Sequence, residues 1–141
     1  MKKIVGYTTG VFDMFHIGHL NILKRAKEHC DYLIVGVTTD ELCESYKNKL
    51  PIIPFEERKA IIEAIKYVDE VVPQTTRDKF QAWENLQFDI MFVGDDWKGS
   101  ELFKQTEEQF TAVGCKIVYF SYTQGTNSTI LREKVLNNKL R

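Results

Sequence analysis

The chain has 141 residues, of which 43% are hydrophobic, and its 19 basic and 20 acidic side chains leave a formal charge of -1. A chain of this length buries enough surface to fold without a disulfide or metal staple, and its apolar content and low net charge exclude an intrinsically disordered protein. The balanced charge also argues against a general nucleic-acid binder, although it is compatible with a local basic pocket for a small anion.

Short apolar runs alternate with longer amphipathic segments, the pattern of a parallel sheet covered by helices on both faces. The predicted strands are residues 3–8, 32–37, 70–72, 90–93 and 116–120, and the predicted helices are 18–29, 55–67, 78–86, 101–113 and 128–135. Three of the strands are nearly continuous apolar runs, as expected when both faces are buried. We therefore predict an α/β fold, a single Rossmann-like domain over residues 1–141 with a five-stranded parallel sheet.

Two smaller features support this assignment. Gly114 stands where the fourth of these helices needs a residue with positive φ before the next strand, and Phe80 and Trp83 are predicted to be core residues of a helix face. The least regular stretch, Asp40 to Pro54, is predicted to be a loop. A polar segment of that length between a strand and a helix favours a functional loop over a spacer.

The cysteines and the hydropathy pattern indicate the cellular compartment of the protein. Cys30, Cys43 and Cys115 are an odd number, far apart and without paired spacing, so neither a disulfide framework nor a zinc site is predicted. No apolar run approaches the roughly 18 residues that a membrane span requires. We expect a cytoplasmic protein with no membrane segment.

The first predicted strand leads into two histidines, His16 and His19, at the start of the first helix. Free backbone N–H groups and the helix dipole attract anions at such a position, and imidazoles add hydrogen-bond donors. Gly18 lets the backbone approach a phosphate closely because it has no Cβ. The sequence therefore predicts a phosphate site here, with a pair of surface or capping histidines as the alternative.

These residues resemble a known family. Phe12-Asp13 followed by His16-Ile17-Gly18-His19 resembles the H-x-G-H signature of the nucleotidyltransferase superfamily, and the segment from Gly10 to His16 resembles its cytidylyltransferase branch. Similarity to bacterial glycerol-3-phosphate cytidylyltransferases continues along the chain in the segments 66–73, 94–97 and 124–129. Four motifs in order, covering almost the whole chain, make the resemblance specific.

The resemblance implies transfer of CMP from CTP to a phosphorylated alcohol, with glycerol 3-phosphate as the expected acceptor and pyrophosphate as the leaving group. The acceptor phosphate is itself the nucleophile, so catalysis consists of aligning two anions and neutralising the growing charge. Mg²⁺ is the implied cofactor, and a homodimer is the implied assembly. His16 and His19 are the implied contacts of the triphosphate, with His19 nearest the developing charge.

The resemblance also implies roles for other residues. Lys47 and Lys49 match phosphate-contacting lysines of a flexible loop, with Lys47 expected on the substrate and Lys49 in catalysis; ordinary solvated charges are the alternative. Arg58 matches an arginine near the substrate, or else is a helix-surface charge paired with Glu57 or Glu63. Asp95 and Asp96 are expected to bind Mg²⁺ and the nucleotide, or to belong to a tight turn. The remaining expected nucleotide contacts are Thr9, Gly10, Val11, Phe12, Asp13, Gly18, Trp97, Gly125, Ser128, Thr129 and Arg132.

Two family arginines are absent. Tyr122 replaces the one that opens the C-terminal motif, and Lys66, an expected substrate contact, replaces the other and lacks its bidentate fork. The ending Ser128-Thr129-Ile130-Leu131-Arg132 resembles that of adenylyltransferase relatives, so Arg132 is expected to supply the missing cation. An adenylyltransferase that uses ATP on a phosphorylated small molecule is therefore one alternative. A non-catalytic nucleotide-binding module, which keeps the fold without turnover, is the other.

Overall fold

The computed structural model of the chain describes residues 2–94 and 99–121. Within these ranges the elements run in chain order as β1 Val5–Gly10, α1 Ile17–Glu28, β2 Tyr32–Thr38, α2 Asp40–Lys47, α3 Phe55–Glu63, β3 Glu70–Gln74, α4 Lys79–Leu86, β4 Ile90–Gly94, α5 Glu101–Ala112 and β5 Lys116–Phe120. The predicted helix over 128–135 lies outside the described residues.

The strands form one five-stranded sheet in the order β3-β2-β1-β4-β5, and every neighbouring pair is parallel. This confirms the predicted parallel α/β sheet. The strand order reverses direction between β1 and β4, and in sheets of this kind the crevice beyond the carboxyl ends at that point is the usual ligand site.

Helices cover both faces of the sheet, as predicted. One core cluster joins Leu23 and Ala26 of α1 and Ile62 of α3 to the sheet. The other joins α4 and α5 to the opposite face, and Phe80 and Trp83 pack against it, in agreement with their predicted core role. The helices therefore hold the sheet rigidly from both sides and leave its carboxyl edge for the loops.

The stretch predicted as a loop, Asp40 to Pro54, begins with the helix α2, so that prediction was wrong for its first half. Thr39 caps this helix by accepting a hydrogen bond from the Leu42 N–H, and Asp40 and Glu41 occupy the first turn. Only Cys43 of this helix is buried. A helix with one buried residue has no apolar stripe for periodicity to detect.

Other boundaries differ by a few residues. The second predicted helix, residues 55–67, ends at Glu63 because the N–H groups of Ile65 and Val68 bond to carbonyls three residues back and turn the chain into β3. β1 lies two residues later than predicted, in register with β2 up to Gly10. Gly114 has the expected positive φ of 78° after α5. Within the described residues, no helix has the length and apolar character to cross a bilayer.

Candidate active site

A cavity of about 610 Å³ opens at the carboxyl ends of the strands, beside the junction of β1 and β4. Its volume is within the range of small-molecule sites. Eight of the predicted site residues line it, namely Thr9, Gly10, Val11, Phe12, Asp13, His19, Lys47 and Lys49. The fold therefore gathers residues from the β1–α1 turn, from the end of α2 and from the lysine loop, residues 48–54, around one space.

The turn between β1 and α1 is strained. Phe12 and Met14 have φ of 54° and 49°, in the left-handed region that bulky side chains rarely adopt. The ring of Phe12 lies over Gly10, where a Cβ would come within 3.0 Å of it. Strain of this kind costs on the order of 1 to 3 kcal/mol per residue and is typical of functional turns. Here it folds the chain back so that α1 starts at the cavity.

The two histidines form a reciprocal cap at the start of α1. His16 Nδ1 accepts from the Gly18 N–H at 3.0 Å, and His19 Nδ1 accepts from the His16 N–H at 3.3 Å. Their rings stack with centroids 4.0 Å apart. Because each Nδ1 is an acceptor, each neutral ring carries its proton on Nε2. The capping alternative is therefore correct for one nitrogen of each ring, and it leaves the Nε2–H groups for another partner.

Burial favours the neutral form of both imidazoles. Burial lowers the pKa of His16, and burial together with the neighbouring His16 lowers the pKa of His19 to about 4, against a weaker opposing effect of Asp13. His16 Nε2 is buried without a hydrogen-bond partner among the described residues. His19 lines the cavity, but His16 does not. An unsatisfied buried donor costs about 1 to 3 kcal/mol, so an acceptor oxygen that reached His16 Nε2 would be stabilising.

This geometry corrects one part of the sequence interpretation. The amides of Gly18 and His16 donate to histidine side chains, so neither is free to bind an anion. Gly18 is buried and contributes to the cap. The donors that the start of α1 keeps for a ligand include the imidazole Nε2–H groups, which sequence spacing alone does not identify.

Asp13 connects the turn to the lysine loop. Its two carboxylate oxygens accept from the amides of Ile52 and Ile53 at 2.8 and 2.9 Å, and the residue is 3% exposed. Although Asp13 borders the cavity as predicted, its carboxylate is directed at the loop. It therefore holds the segment that follows Lys49 against the β1–α1 turn.

Arg58 occupies neither of its predicted settings, since it does not line the cavity and is 1% exposed. Its guanidinium donates to the carbonyls of Ile53, Val11 and Thr38 at 2.7 to 2.8 Å and pairs with Asp40 at 2.5 Å. Glu57 and Glu63 are not its partners. Arg58 therefore joins β1, β2, α2 and the lysine loop from behind the site.

The predicted lysines of the loop region reach the cavity. Lys47 ends α2, and Lys49 follows two residues later, after Asn48 in a left-handed conformation. The Cys43 thiol lies 3.7 Å from the Lys49 carbonyl oxygen, toward which it donates. Neither lysine has an ion-pair partner within the described residues. Two ammonium groups without carboxylates make this wall attractive to a polyanion.

Lys79 is a site residue that the sequence analysis missed. It is the first residue of α4, lines the cavity and donates from Nζ to the Thr9 hydroxyl at 3.1 Å. Burial, with a smaller effect of Arg77, lowers its pKa to about 8. The N-cap Asp78 was the available signal, because a helix that starts after β3 puts its first side chain at the carboxyl edge of the sheet.

Lys66 does not lie at the cavity, where it was predicted to contact the substrate. It lies in the turn that enters β3, with its ammonium 5.3 Å from the centre of the Tyr67 ring. In a parallel sheet this turn is at the amino edge, opposite the cavity, and Lys66 does not line it.

The remaining predicted site residues lie outside the described ranges, and their roles stay predictions. They are Asp95, Asp96, Trp97, Gly125, Ser128, Thr129 and Arg132, together with Tyr122. Among the described residues that line the cavity, Asp13 is the one acid, and its oxygens already accept from the loop amides. No group of three metal-ligating side chains occurs in the described part of the chain.

Comparison with solved structures bears on the fold. A lipopolysaccharide core biosynthesis protein from Thermoplasma volcanium GSS1 superposes with a TM-score of 0.73 at 27% identity, over 89% of this chain and 100% of that one. A pantoate-beta-alanine ligase from Francisella tularensis superposes with a TM-score of 0.63 at 13% identity, over 99% of this chain and 72% of that one. The second likeness concerns the fold alone.

Sequence comparison is more specific. Glycerol-3-phosphate cytidylyltransferases from Bacillus subtilis strain 168 and Staphylococcus aureus strain NCTC 8325 / PS 47 are 38% and 34% identical over 136 residues. These matches cover 96% of this chain and 98% and 96% of the two relatives. The model of the cytidylyltransferase-like family matches residues 7–136. With the histidine pair and the cationic cavity at the strand crevice, this match shows that the chain belongs to the cytidylyltransferase-like family.

Proposed function

We propose that this chain transfers CMP from CTP to glycerol 3-phosphate and releases pyrophosphate. An oxygen of the acceptor phosphate attacks the α-phosphorus of CTP, the new P–O bond forms, and the bond to the β-phosphate oxygen breaks with its electron pair leaving on pyrophosphate. The nucleophile is already an anion, so no protein base is needed. The chain's contribution is alignment and charge stabilisation.

The observation that carries the proposal is the charge of the cavity. Lys47, Lys49 and Lys79 line it, while its one described carboxylate, Asp13, is bound to loop amides. Such a cavity favours two phosphorylated substrates at once, because three ammonium groups offset their mutual repulsion. The neutral Nε2–H groups of His16 and His19 suit the triphosphate, since they donate hydrogen bonds to growing negative charge without giving up a proton.

Lys79 suits the acceptor phosphate. Its Nζ donates one hydrogen bond to the Thr9 hydroxyl. Among the described residues, no carboxylate forms an ion pair with Lys79. A buried ammonium without a counter-ion is costly, and a phosphate monoester at this place would supply that charge. Lys47, at the end of α2, and Lys49, in the lysine loop, suit the phosphates of the nucleotide.

Mg²⁺ is part of the proposal, as a cation that binds phosphates together with one or two carboxylates. When bound, it would neutralise charge on the α-phosphate and the leaving pyrophosphate. The described residues of the cavity do not offer such carboxylates, because the oxygens of Asp13 are taken by amides. Asp95 and Asp96 therefore stay the candidate ligands of the ion.

Two further parts of the proposal concern the state of the protein. A homodimer is proposed from the family resemblance, and sedimentation equilibrium at several concentrations tests it: a mass of twice 16.5 kDa supports the dimer and a mass of 16.5 kDa rejects it.

A cytoplasmic location is proposed because Cys30, Cys43 and Cys115 are free thiols, which suits a reducing compartment.

The function is tested by pyrophosphate release with Mg²⁺, using CTP or ATP against glycerol 3-phosphate and a panel of other phosphorylated alcohols. Release with CTP and glycerol 3-phosphate, lost in Lys79→Ala and kept in the exposed control Lys104→Ala, is the expected result. Release with ATP would favour the adenylyltransferase alternative. Nucleotide binding without release for any acceptor would instead indicate a non-catalytic module.

A further inference from the structure

Beyond Lys79, a pair of polar side chains continues the acceptor end of the cavity toward the edge of the sheet. Thr38 and Gln74 end β2 and β3, are paired in the strand register, and both line the cavity. The Thr38 hydroxyl donates to Gln74 Oε1 at 2.6 Å. Thr38 is 0% exposed and Gln74 is 8% exposed. The pair is therefore ordered, and Gln74 opens on the cavity.

These side chains lie on the same face of the sheet as Lys79. Thr9 pairs with Gly36, and Thr38 is two residues after Gly36, so both threonines project to one face. That is the face on which α4 packs, because Tyr7 and Ile34 belong to the core cluster contacted by α4. Neighbouring strands are about 4.8 Å apart, so β1, which carries Thr9, and β3, which carries Gln74, are about 10 Å apart along the edge. A short phosphorylated alcohol fits between the two side chains.

The orientation of the Gln74 side-chain amide determines which hydrogen-bonding group this end of the cavity offers to a ligand. Because Oε1 of Gln74 accepts from Thr38, the group left for a ligand is the Nε2 amide, a donor. Among the described residues Nε2 has no hydrogen-bond partner, while the Gln74 carbonyl accepts from the Thr39 N–H at 3.1 Å. A donor at this end, in a cavity whose described carboxylate is taken by loop amides, suits a hydroxyl oxygen and disfavours a cationic head group.

We infer that Gln74 is a specificity-determining residue, whose Nε2 amide donates to a hydroxyl of the acceptor and thereby selects polyol phosphates over amino-alcohol phosphates. The inference rests on the proposed function and deepens it. Thr38 is the positioning residue, because its hydroxyl donates to Oε1 and so leaves the Nε2 end of the amide for the acceptor.

The test is the variant Gln74→Glu, assayed with CTP against glycerol 3-phosphate and phosphoethanolamine. The carboxylate keeps the acceptor for Thr38 and replaces the outward amide by a negative oxygen, so the ratio of kcat/KM for phosphoethanolamine to that for glycerol 3-phosphate is expected to rise about tenfold or more, since one charge pair is worth a factor of that order. Gln81→Glu adds the same charge on the exposed side of α4 and should leave the ratio unchanged. A change of ratio cannot come from a partly unfolded enzyme.

A second substrate pair isolates the hydroxyl. For the wild type, propyl phosphate, which has no hydroxyl, should react with about tenfold lower kcat/KM than glycerol 3-phosphate, the effect of one hydrogen bond, and Gln74→Leu should remove most of that difference. Equal losses for all acceptors in both variants would overturn the inference. A wild-type enzyme that releases no pyrophosphate with glycerol 3-phosphate would instead reject the proposed function, so the two failures are distinguishable.

Discussion

At the scale of single residues, the histidine pair combines a structural role with a proposed catalytic one, in different atoms of each ring. Nδ1 caps α1, and Nε2 carries the proton that a ligand can accept. This division makes the two roles separable by substitution.

His16→Asn is expected to keep the cap and lose the reaction. Asparagine is among the best N-cap residues, so its side chain should accept from the Gly18 amide, and the melting temperature should stay within a few degrees of the wild type. Loss of the Nε2 donor should lower kcat by about 10² to 10³-fold, the effect of removing one donor to developing charge. Scanning calorimetry and pyrophosphate release measure the two effects, and His16→Ala, which lacks the cap as well, is the control. Unimpaired turnover in His16→Asn would contradict the role given to Nε2.

The lowered pKa of Lys79 predicts that acceptor binding weakens at alkaline pH. Its pKa is lowered to about 8 by burial, so the ammonium is present below about pH 8 and is lost as the pH rises through this value. The kcat/KM for glycerol 3-phosphate should therefore fall about tenfold per pH unit above the pKa, as expected when one protonated group is essential. Lys79→Arg should abolish this decrease at alkaline pH, because arginine keeps its charge. An identical decrease in Lys79→Arg would show that another group is responsible.

At the scale of elements, the Arg58–Asp40 pair joins segments that are far apart in sequence. Arg58 lies in α3 and bonds to β2, to the lysine loop and to the Val11 carbonyl that follows β1, while Asp40 starts α2 and also accepts from the Phe55 amide at 3.3 Å. The lysines of this wall depend on this anchor, since Lys47 and Lys49 lie between its two ends.

Asp40→Asn is expected to loosen the lysine loop without unfolding the protein. The amide retains an acceptor but loses the charge, so the free energy of unfolding should fall by about 1.5 to 3 kcal/mol, the range for a hydrogen bond to a charged group. Trypsin should cleave after Lys47 and Lys49 faster than in the wild type, and kcat/KM for CTP should decrease. Urea titration and timed proteolysis measure these changes. Glu57→Gln, on the exposed side of α3, is the control, and equal cleavage rates in both variants would contradict the anchor.

At the scale of the whole molecule, the cavity draws on the ends of several strands, so a ligand bound there stabilises the entire fold. Binding to the native state adds RT ln(1 + [L]/Kd), which is about 2.7 kcal/mol at a hundredfold excess over Kd. CTP with Mg²⁺ should therefore raise the melting temperature by several degrees, and ATP at the same concentration should raise it less. A larger shift with ATP would contradict the proposed nucleotide.

The sequence determined the architecture because each part of it is a local property. Continuous apolar runs such as residues 90–93 require burial on both faces, and the helical spacing of Leu23 and Ala26 requires a sheet to pack on, so the parallel α/β fold follows. The segment from Gly10 to His19 likewise identified the site, because its motif, strand end and helix start are adjacent in the chain.

Only the tertiary structure decided which residues, distant in the sequence, contact one another at the site and behind it. Arg58 looked like a surface or substrate cation, but burial against three carbonyls and Asp40 makes it an anchor. The sequence pattern gave Lys79 no role beyond its place in a predicted helix, and the fold brings its Nζ to Thr9. Thr38 and Gln74 meet only because β2 and β3 are paired. These roles depend on which groups are desolvated together, and desolvation is a property of the packed molecule that no spacing along the chain encodes.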